Sequence, residues 1–271
     1  MALGPDKHTN LDLFISDLGD IQLKTDKSSL EYSFFSLQKR KDINIYRYEG
    51  RQGEFIEIIP SVLGRATIWD QDLLIYAISA VIEKRNKGLE IGRTVEIEAY
   101  DFLKRTNRST GGRSYEAIKD GLSRLQGTTF ITNVRNGEIE NTKGSGFITD
   151  WGIKRESDTG KVLEFSLTLN DWLWDAIEKT QILTYSNEYY RITGGLERRL
   201  YQLARKHLGK QKEFMIGWKT LYNKSGSSGS EKLFKSRVRK MIAENAGILD
   251  YGMRDHGENV VFVHRLEIDK R

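Results

Sequence analysis

Between residues 231 and 245 the chain gathers Lys232, Lys235, Arg237, Arg239 and Lys240, interleaved with Phe234, Val238, Met241 and Ile242 at helical spacing. At about 100° per residue, Lys232, Ser236 and Lys240 fall on the face opposite Phe234 and Val238, and Arg239 flanks that face. A helix that packs through one strip and carries cations on the other is suited to lying in a DNA major groove. The run Ser225-Gly226-Ser227-Ser228-Gly229-Ser230 before it supplies hydroxyls and backbone N–H groups at a helix start, where phosphates bind. An ordinary solvated face behind a flexible loop has the same charge pattern. The layout of the surrounding elements, which occurs twice, favours nucleic acid.

A second candidate is the turn 106–112 and the helix expected at 113–125. The outer face of that helix mixes Arg113 and Arg124 with Glu116 and Asp120. Carboxylates repel phosphates, although one can accept from a cytosine amino group. Contact is therefore expected through the turn and the helix start, at Asn107, Arg108, Thr110, Arg113 and Lys119, with Arg124 further along. Tyr115, three before Ile118, reads as core. Hairpin tips add Arg135 and Lys143 in the first half and Arg254 in the second, positions from which a wing meets a phosphate backbone or minor groove. In the second half, Ser227 and Ser228 complete the expected DNA-binding set with Lys232, Lys235, Ser236, Arg239, Lys240 and Arg254.

Other chemistries lack their residues. There is no cysteine, so disulfides, Cys-based zinc sites, thiol nucleophiles and Fe–S clusters are excluded. No G-x-x-x-x-G-K-[ST] run exists, and Gly144-Ser145-Gly146 lacks the following Lys. The four histidines, His8, His207, His256 and His264, show no metal-ligand pairing. A strand-nicking enzyme would need a His pair or acidic cluster beside a nucleophilic Tyr. The acidic pairs Asp70/Asp72 and Glu96/Glu98 sit near helix starts, where capping accounts for them. The expectation is a protein without catalytic residues, metal or cofactor.

The elements that must position these residues follow from periodicity. Residues 43–48 and 55–59 read as strands across a Gly50–Gly53 turn. A helix opens at Asp70 with Leu73, Leu74, Ala77, Ile78, Val81 and Ile82 inward, and ends at Asn86-Lys87-Gly88. A strand at 94–97, a short helix at 98–105, the turn and the helix at 113–125 follow. Strands at 128–135, 146–153 and 162–169, joined by Asn136-Gly137 and Asp158-Thr159-Gly160, precede a helix at 171–179. The order then recurs: helix 195–208, strand 214–216, helix 218–223, the Ser/Gly turn, helix 231–245, and a hairpin of 248–253 and 260–266. Helix, short strand, short helix, turn, helix, hairpin is the winged-helix variant of helix-turn-helix. Its recurrence without residue identity is a repeat of element order alone. The fold class expected is α+β with two tandem winged-helix domains, at 43–180 and 181–271, after an N-terminal arm at 1–42 that contains an apolar docking element at 11–18.

Composition bounds the partners. The 271 residues hold 38% apolar and 30% charged residues, enough for a packed core and roughly two domains. The net charge of +5, from 43 Lys and Arg against 38 Asp and Glu, is small for a nucleic-acid binder. Yet residues 232–240 hold five basic residues and no acidic one, matching the whole excess. No uninterrupted apolar run of membrane-spanning length exists and no signal peptide is evident, so a cytoplasmic, membrane-free location is expected.

Several stretches are also similar to one family. They are Asp12-Leu13-Phe14-Ile15-Ser16-Asp17-Leu18, Phe34-Phe35-Ser36-Leu37-Gln38-Lys39-Arg40, Ile59-Pro60-Ser61-Val62-Leu63-Gly64-Arg65-Ala66-Thr67-Ile68 and Asp72-Leu73-Leu74-Ile75-Tyr76. Thr106-Asn107-Arg108, Leu125-Gln126-Gly127-Thr128, Leu196-Glu197-Arg198-Arg199-Leu200-Tyr201, Leu203-Ala204-Arg205-Lys206-His207 and Lys224-Ser225-Gly226-Ser227 continue the series. Together they resemble the replication initiator protein A family of bacterial plasmids, a group of winged-helix Rep proteins, over nearly the full chain. Residues 138–143 depart from the pattern and read as a variable wing loop.

The resemblance implies binding to repeated double-stranded sites (iterons) at a plasmid origin. It also implies melting of an adjacent AT-rich region, recruitment of host initiator and replicative helicase machinery, and a switch between monomers and homodimers, often with repression of the initiator's own gene. The absent ATP motif agrees, since strand opening would then be driven by binding and DNA deformation. Two alternatives are a dimeric transcriptional regulator, with the Arg198–Arg199 face and the arm serving dimerisation, and a strand-nicking Rep enzyme.

Overall fold

The computed structural model describes residues 3–5, 7, 22–27, 30, 32–49, 53–136, 139–244 and 248–265. The docking element at 11–18, His8 and the Gly137 turn position lie outside them. The chain begins with strands β1 (Lys24–Asp26), β2 (Tyr46–Glu49) and β3 (Phe55–Ile59), then helix α1 (Gln71–Asn86), strand β4 (Thr94–Glu98), and helices α2 (Ala99–Arg105) and α3 (Gly112–Gly127). Strands β5 (Thr129–Asn136), β6 (Ile139–Ser145), β7 (Ile148–Arg155) and β8 (Val162–Leu169) lead to α4 (Asp171–Glu178) and β9 (Ile182–Thr184). A 3₁₀ turn at Asn187–Arg191 precedes α5 (Gly195–Leu208), β10 (Glu213–Gly217), α6 (Trp218–Ser225), α7 (Glu231–Ala243), β11 (Tyr251–His256) and β12 (Asn259–His264).

Two three-stranded antiparallel sheets have the same topology. In the first half β4 pairs with β8 and β8 with β7, and in the second β10 pairs with β12 and β12 with β11. In each, the strand before the short helix lies beside the last strand of the closing hairpin. The matching of α1-β4-α2-α3-β7-β8 by α5-β10-α6-α7-β11-β12 is thus one of topology as well as order.

The first half differs from the expectation in one respect. The strand after α3 does not open its closing hairpin. Instead β5 pairs with β6 and with β3, in a separate sheet of order β2-β3-β5-β6. The segment 139–145, read as a loop, is strand β6. After Ile139 it is polar, so periodicity gives no signal for it. The open backbone edge of β5 recruits it by main-chain hydrogen bonds, for which side-chain type matters little.

Two apolar clusters form the core. The first packs α1, α2, α3, α4 and both first-half sheets around Phe34, Phe102, Phe147 and Phe165. Phe34 contacts Phe130, Phe147 and Trp172 at ring separations of 5.4–5.7 Å. The second packs α5, α6, α7 and the second sheet around Tyr189, Tyr201, Phe234 and Phe262. Helix α1 is buried on every side from Gln71 to Ile82; Ile75 faces the second cluster while its neighbours face the first. Residues expected as an N-terminal arm are built into this body. Leu23 and Leu30 lie in the second cluster, Phe34 and Phe35 in the first, and β1 pairs with β9.

Polar groups cross between the halves beside α1. The buried Asp72 carboxylate takes Arg198 Nη1 of α5 at 2.6 Å and Arg108 Nη2 at 2.9 Å. Gln202 Nε2 donates to Gln71 Oε1 at 2.7 Å. Burial works against the Arg198 charge, but Asp72 together with Tyr189 and Tyr190 outweighs it and the guanidinium pKa lies above its ordinary value. No side-chain bond caps the start of α1, although Asp72 does lie in its first turn. Asp70 occupies the N-cap position without a side-chain cap bond, and its carboxylate takes Arg124 Nε and Nη2 at 2.8 Å each. The Arg198–Arg199 face is likewise no dimer surface. Both residues are buried, and Arg199 donates to the Lys224 carbonyl at 2.8 and 3.0 Å.

Candidate nucleic-acid interface

Helix α7 is seated by Phe234, Val238 and Met241, which are buried one turn apart. Lys232, Ser236, Arg237, Arg239 and Lys240 stand exposed around the rest of its circumference. Three of its cations have neighbours. Lys235 pairs with Glu231 at 2.8 Å and Lys240 with Glu244 at 3.7 Å, along the helix. Arg239 pairs with Asp255 at 2.8 Å, with its guanidinium over the Trp218 ring. Exposed pairs of this kind contribute at most about 1 kcal/mol, so they yield readily to a phosphate. Lys232 and Arg237 form no ion pair among the described residues.

The Ser/Gly turn is fixed. Gly226 adopts a left-handed φ of 69° at the end of α6, and a Cβ there would overlap the Ser33 hydroxyl. Tyr222 donates to the Gly229 carbonyl at 2.7 Å, and the Ser230 hydroxyl caps α7 by accepting from Leu233 N. Ser225 is buried, Ser227 half-buried, and Ser228 exposed beside Gln38, to which it is hydrogen bonded. These contacts place the turn at the start of α7.

In the first half, α3 is seated on α1 through Ile118, Gly121, Leu122 and Leu125. A Cβ on Gly121 would sit 2.9 Å from Asp70 Oδ1, so only glycine admits this approach, which brings Arg124 to Asp70. Arg113 and Lys119 are exposed, as are Thr110 and the open glycines 111 and 112 at the helix start. Glu116 is engaged by Arg155 Nη2 of β7 at 3.2 Å. Asn107, at a left-handed φ of 54°, accepts from Lys7 N at 2.8 Å and donates to the Pro5 carbonyl at 3.0 Å.

A family model for replication initiator protein A matches residues 24–253, most of the chain. The chain belongs to the replication initiator protein A family. A protein named as a putative replication protein in Wigglesworthia glossinidia brevipalpis is 35% identical over 251 residues, covering 90% of this chain and 89% of that protein. Among solved structures, domains 2 and 3 of RctB superpose with a TM-score of 0.65 at 11% identity, over 89% of this chain and 98% of that one. A second crystal structure of RctB domains 2–3 gives 0.57 at 13% identity, over 85% and 94%. At such identities the likeness is one of fold.

On this member of the replication initiator protein A family, the expected site residues divide. Lys232, Ser236, Arg239 and Lys240 share the outer surface of α7, with Lys235 half-buried at its flank. Arg113, Lys119 and Thr110 reach solvent around the start and outer face of α3. Two arginines do not belong with them. Arg124 is drawn inward onto Asp70, whose hydrogen bonds hold its pKa above the ordinary value. Arg108 spans Asp72 and the Trp69 carbonyl. Both ion pairs are half-buried, so these residues brace the fold, a role that an outer-face count on one helix cannot reveal. Asn107 likewise holds residues 5 and 7.

The hairpin assignments also change. Arg135 and Lys143 lie on β5 and β6, in the separate sheet; Lys143 is exposed, and the Arg135 side chain is outside the described residues. The hairpin that corresponds to β11–β12 is β7–β8, with Lys154, Arg155 and Lys161 near its turn. Its signal was the Asp158-Thr159-Gly160 turn. Arg254 of β11 is half-buried and pairs with Glu213 of β10 at 3.0 Å. Arg237 was missed because it lies beside the seated strip, yet it is exposed and lines a surface pocket with Arg40 and Ser228. Among the described residues no group of three His, Asp or Glu is placed to hold a metal, and no helix is long and apolar enough to cross a membrane.

Proposed function

We propose that the chain is a plasmid replication initiator that binds repeated sites (iterons) on duplex DNA through two tandem winged-helix domains, at 43–180 and 181–271. The observation that carries this reading is α7, a helix held from behind by Phe234 and Val238 with its cations outward and a fixed Ser/Gly turn at its start. Family membership and the duplicated sheet topology support it. In each domain the third helix would enter a major groove. With both domains on one face of the duplex, the two grooves would be about one helical turn apart. The β7–β8 and β11–β12 hairpins would follow the flanking backbone. Arg113, Lys119 and Thr110 are the first-domain contacts, and Ser228, Lys232, Lys235, Ser236, Arg239 and Lys240 those of the second, with Arg237 added. Opening of adjacent DNA and recruitment of host initiator and helicase in the cytoplasm complete the proposal, with no cofactor in the initiator itself.

The test is a binding titration on DNA from the flanks of the native gene against scrambled DNA. About 6–10 phosphate contacts imply a fall in affinity of about 10³–10⁵-fold between 50 and 200 mM salt. Lys232→Ala and Ser236→Ala, near the start of α7, should lower preference for the cognate sequence by about 1–3 kcal/mol per lost base contact, whereas Lys240→Ala should weaken both DNAs alike. A flat salt response, or equal effects of all three substitutions on both DNAs, refutes the reading.

A further inference from the structure

A cleft of about 420 Å³ opens between the two halves. Its lining includes five cationic residues, Lys7, Lys39, Arg108, Arg124 and Arg198, against two carboxylates, Asp70 and Asp72, among the described residues. Both carboxylates are already engaged, Asp70 by Arg124 and Asp72 by Arg108 and Arg198. The positive excess is therefore not cancelled inside the cleft. Lys39 is exposed, rests over the Trp69 ring at 5.1 Å, and has no ion pair among the described residues. A second observation is independent of charge. Tyr190 lines the same cleft, and its hydroxyl is buried with no hydrogen-bond partner. Such a group is costly to leave unmatched, and a bound acceptor would satisfy it.

We propose that this cleft binds a phosphate-rich anion carrying at least two phosphate groups. Planar guanidiniums and a buried hydroxyl donor suit phosphate oxygens. The volume lies in the range of small-ligand sites, about 300–1,000 Å³, and exceeds what a single phosphate fills. Arg108 and Arg124 line it from the first half and Tyr190 from the second, two sides that the Asp72–Arg198 pair already holds together. The same chemistry is offered by a free nucleoside polyphosphate and by successive phosphates of a DNA strand. The cleft contains no residue of α7, so this proposal and the reading of that helix fail separately.

The experiment is calorimetric titration of the full chain with sodium tripolyphosphate at low salt. Saturable one-to-one binding is expected, weakened about tenfold by Lys39→Ala, the loss of one charge-assisted contact. Tyr190→Phe should also weaken it while leaving the unfolding temperature no lower than wild type. Lys210→Ala, an exposed cation on the chain after α5, should leave it unchanged. No saturable binding overturns the proposal, as does an equal loss in Lys39→Ala and Lys210→Ala, which marks diffuse attraction. Duplex binding at saturating tripolyphosphate then identifies the source. Competition that Lys39→Ala abolishes assigns the site to DNA phosphates, and undiminished duplex binding assigns it to a free ligand.

Discussion

Replacing Asp72 by Asn removes the charge on which two arginines from different parts of the chain converge. The Asp72 and Arg198 side chains are 1% and 3% exposed. Breaking such a buried pair by removing one partner costs about 3–5 kcal/mol, because the remaining charge stays desolvated. Arg198 keeps the Ile192 carbonyl at 2.7 Å and the Tyr190 carbonyl at 3.2 Å, and Arg108, 20% exposed, can turn toward water. Those partners place the expected loss at the lower end, about 3 kcal/mol. With a urea dependence of about 3 kcal/mol per molar, the unfolding midpoint falls by about 1 M. The assay is urea denaturation followed by Trp fluorescence, with Asp175→Asn as control. Asp175 forms an exposed pair with Lys179 at 3.2 Å, and its loss should cost at most about 1 kcal/mol. A midpoint for Asp72→Asn indistinguishable from that control, at unchanged slope, would refute the claim that this ion pair braces the two halves.

Gly226→Ala should destabilise the protein by more than 1 kcal/mol. It combines the left-handed penalty of about 1–2 kcal/mol with overlap of Ser33, and thermal unfolding reads the effect. Gly121→Ala pushes a Cβ toward Asp70 and Leu73, so a lower melting temperature and weaker protection of α3 amides from hydrogen exchange are expected. Tyr190→Phe deletes a buried hydroxyl without a partner and should be neutral or stabilising in the free protein; a loss above about 1 kcal/mol would mean that the hydroxyl is satisfied. A double-mutant cycle on Arg239 and Asp255 should give a coupling below about 1 kcal/mol, as befits an exposed pair that a phosphate can displace.

The helices that seat the candidate interface were legible because their apolar residues recur at helical spacing. Phe234, Val238 and Met241 fall one turn apart, and the face they leave outward is fixed by geometry alone. Gly226 and the residues around it were recognisable as a turn by composition, and Gly226 supplies the left-handed conformation that ends α6. The sheet topology of the first half was not legible. Strand β6 is polar after Ile139, and its pairing with β5 depends on an open edge that exists only once β3 and β5 have met.

Residue types and local period determined, without a structure, the order of the two repeated helix-strand-helix-helix-hairpin units, the apolar seats of α3 and α7 and the concentration of charge at 232–240. Tertiary structure alone decided which cations remain outward. Arg108 and Arg124 look like Arg113 in sequence, but they meet Asp70 and Asp72 because α3 crosses α1 at Gly121. Arg198 and Arg199 occupy one turn of an ordinary amphipathic helix, and only the packing of α5 against α1 turns that face into a buried seam. Local spacing sets which side of a helix is apolar, while the partner of a charge is chosen by segments distant in the chain. A long cation is an exposed contact or an internal brace according to what the fold brings within about 3 Å of it.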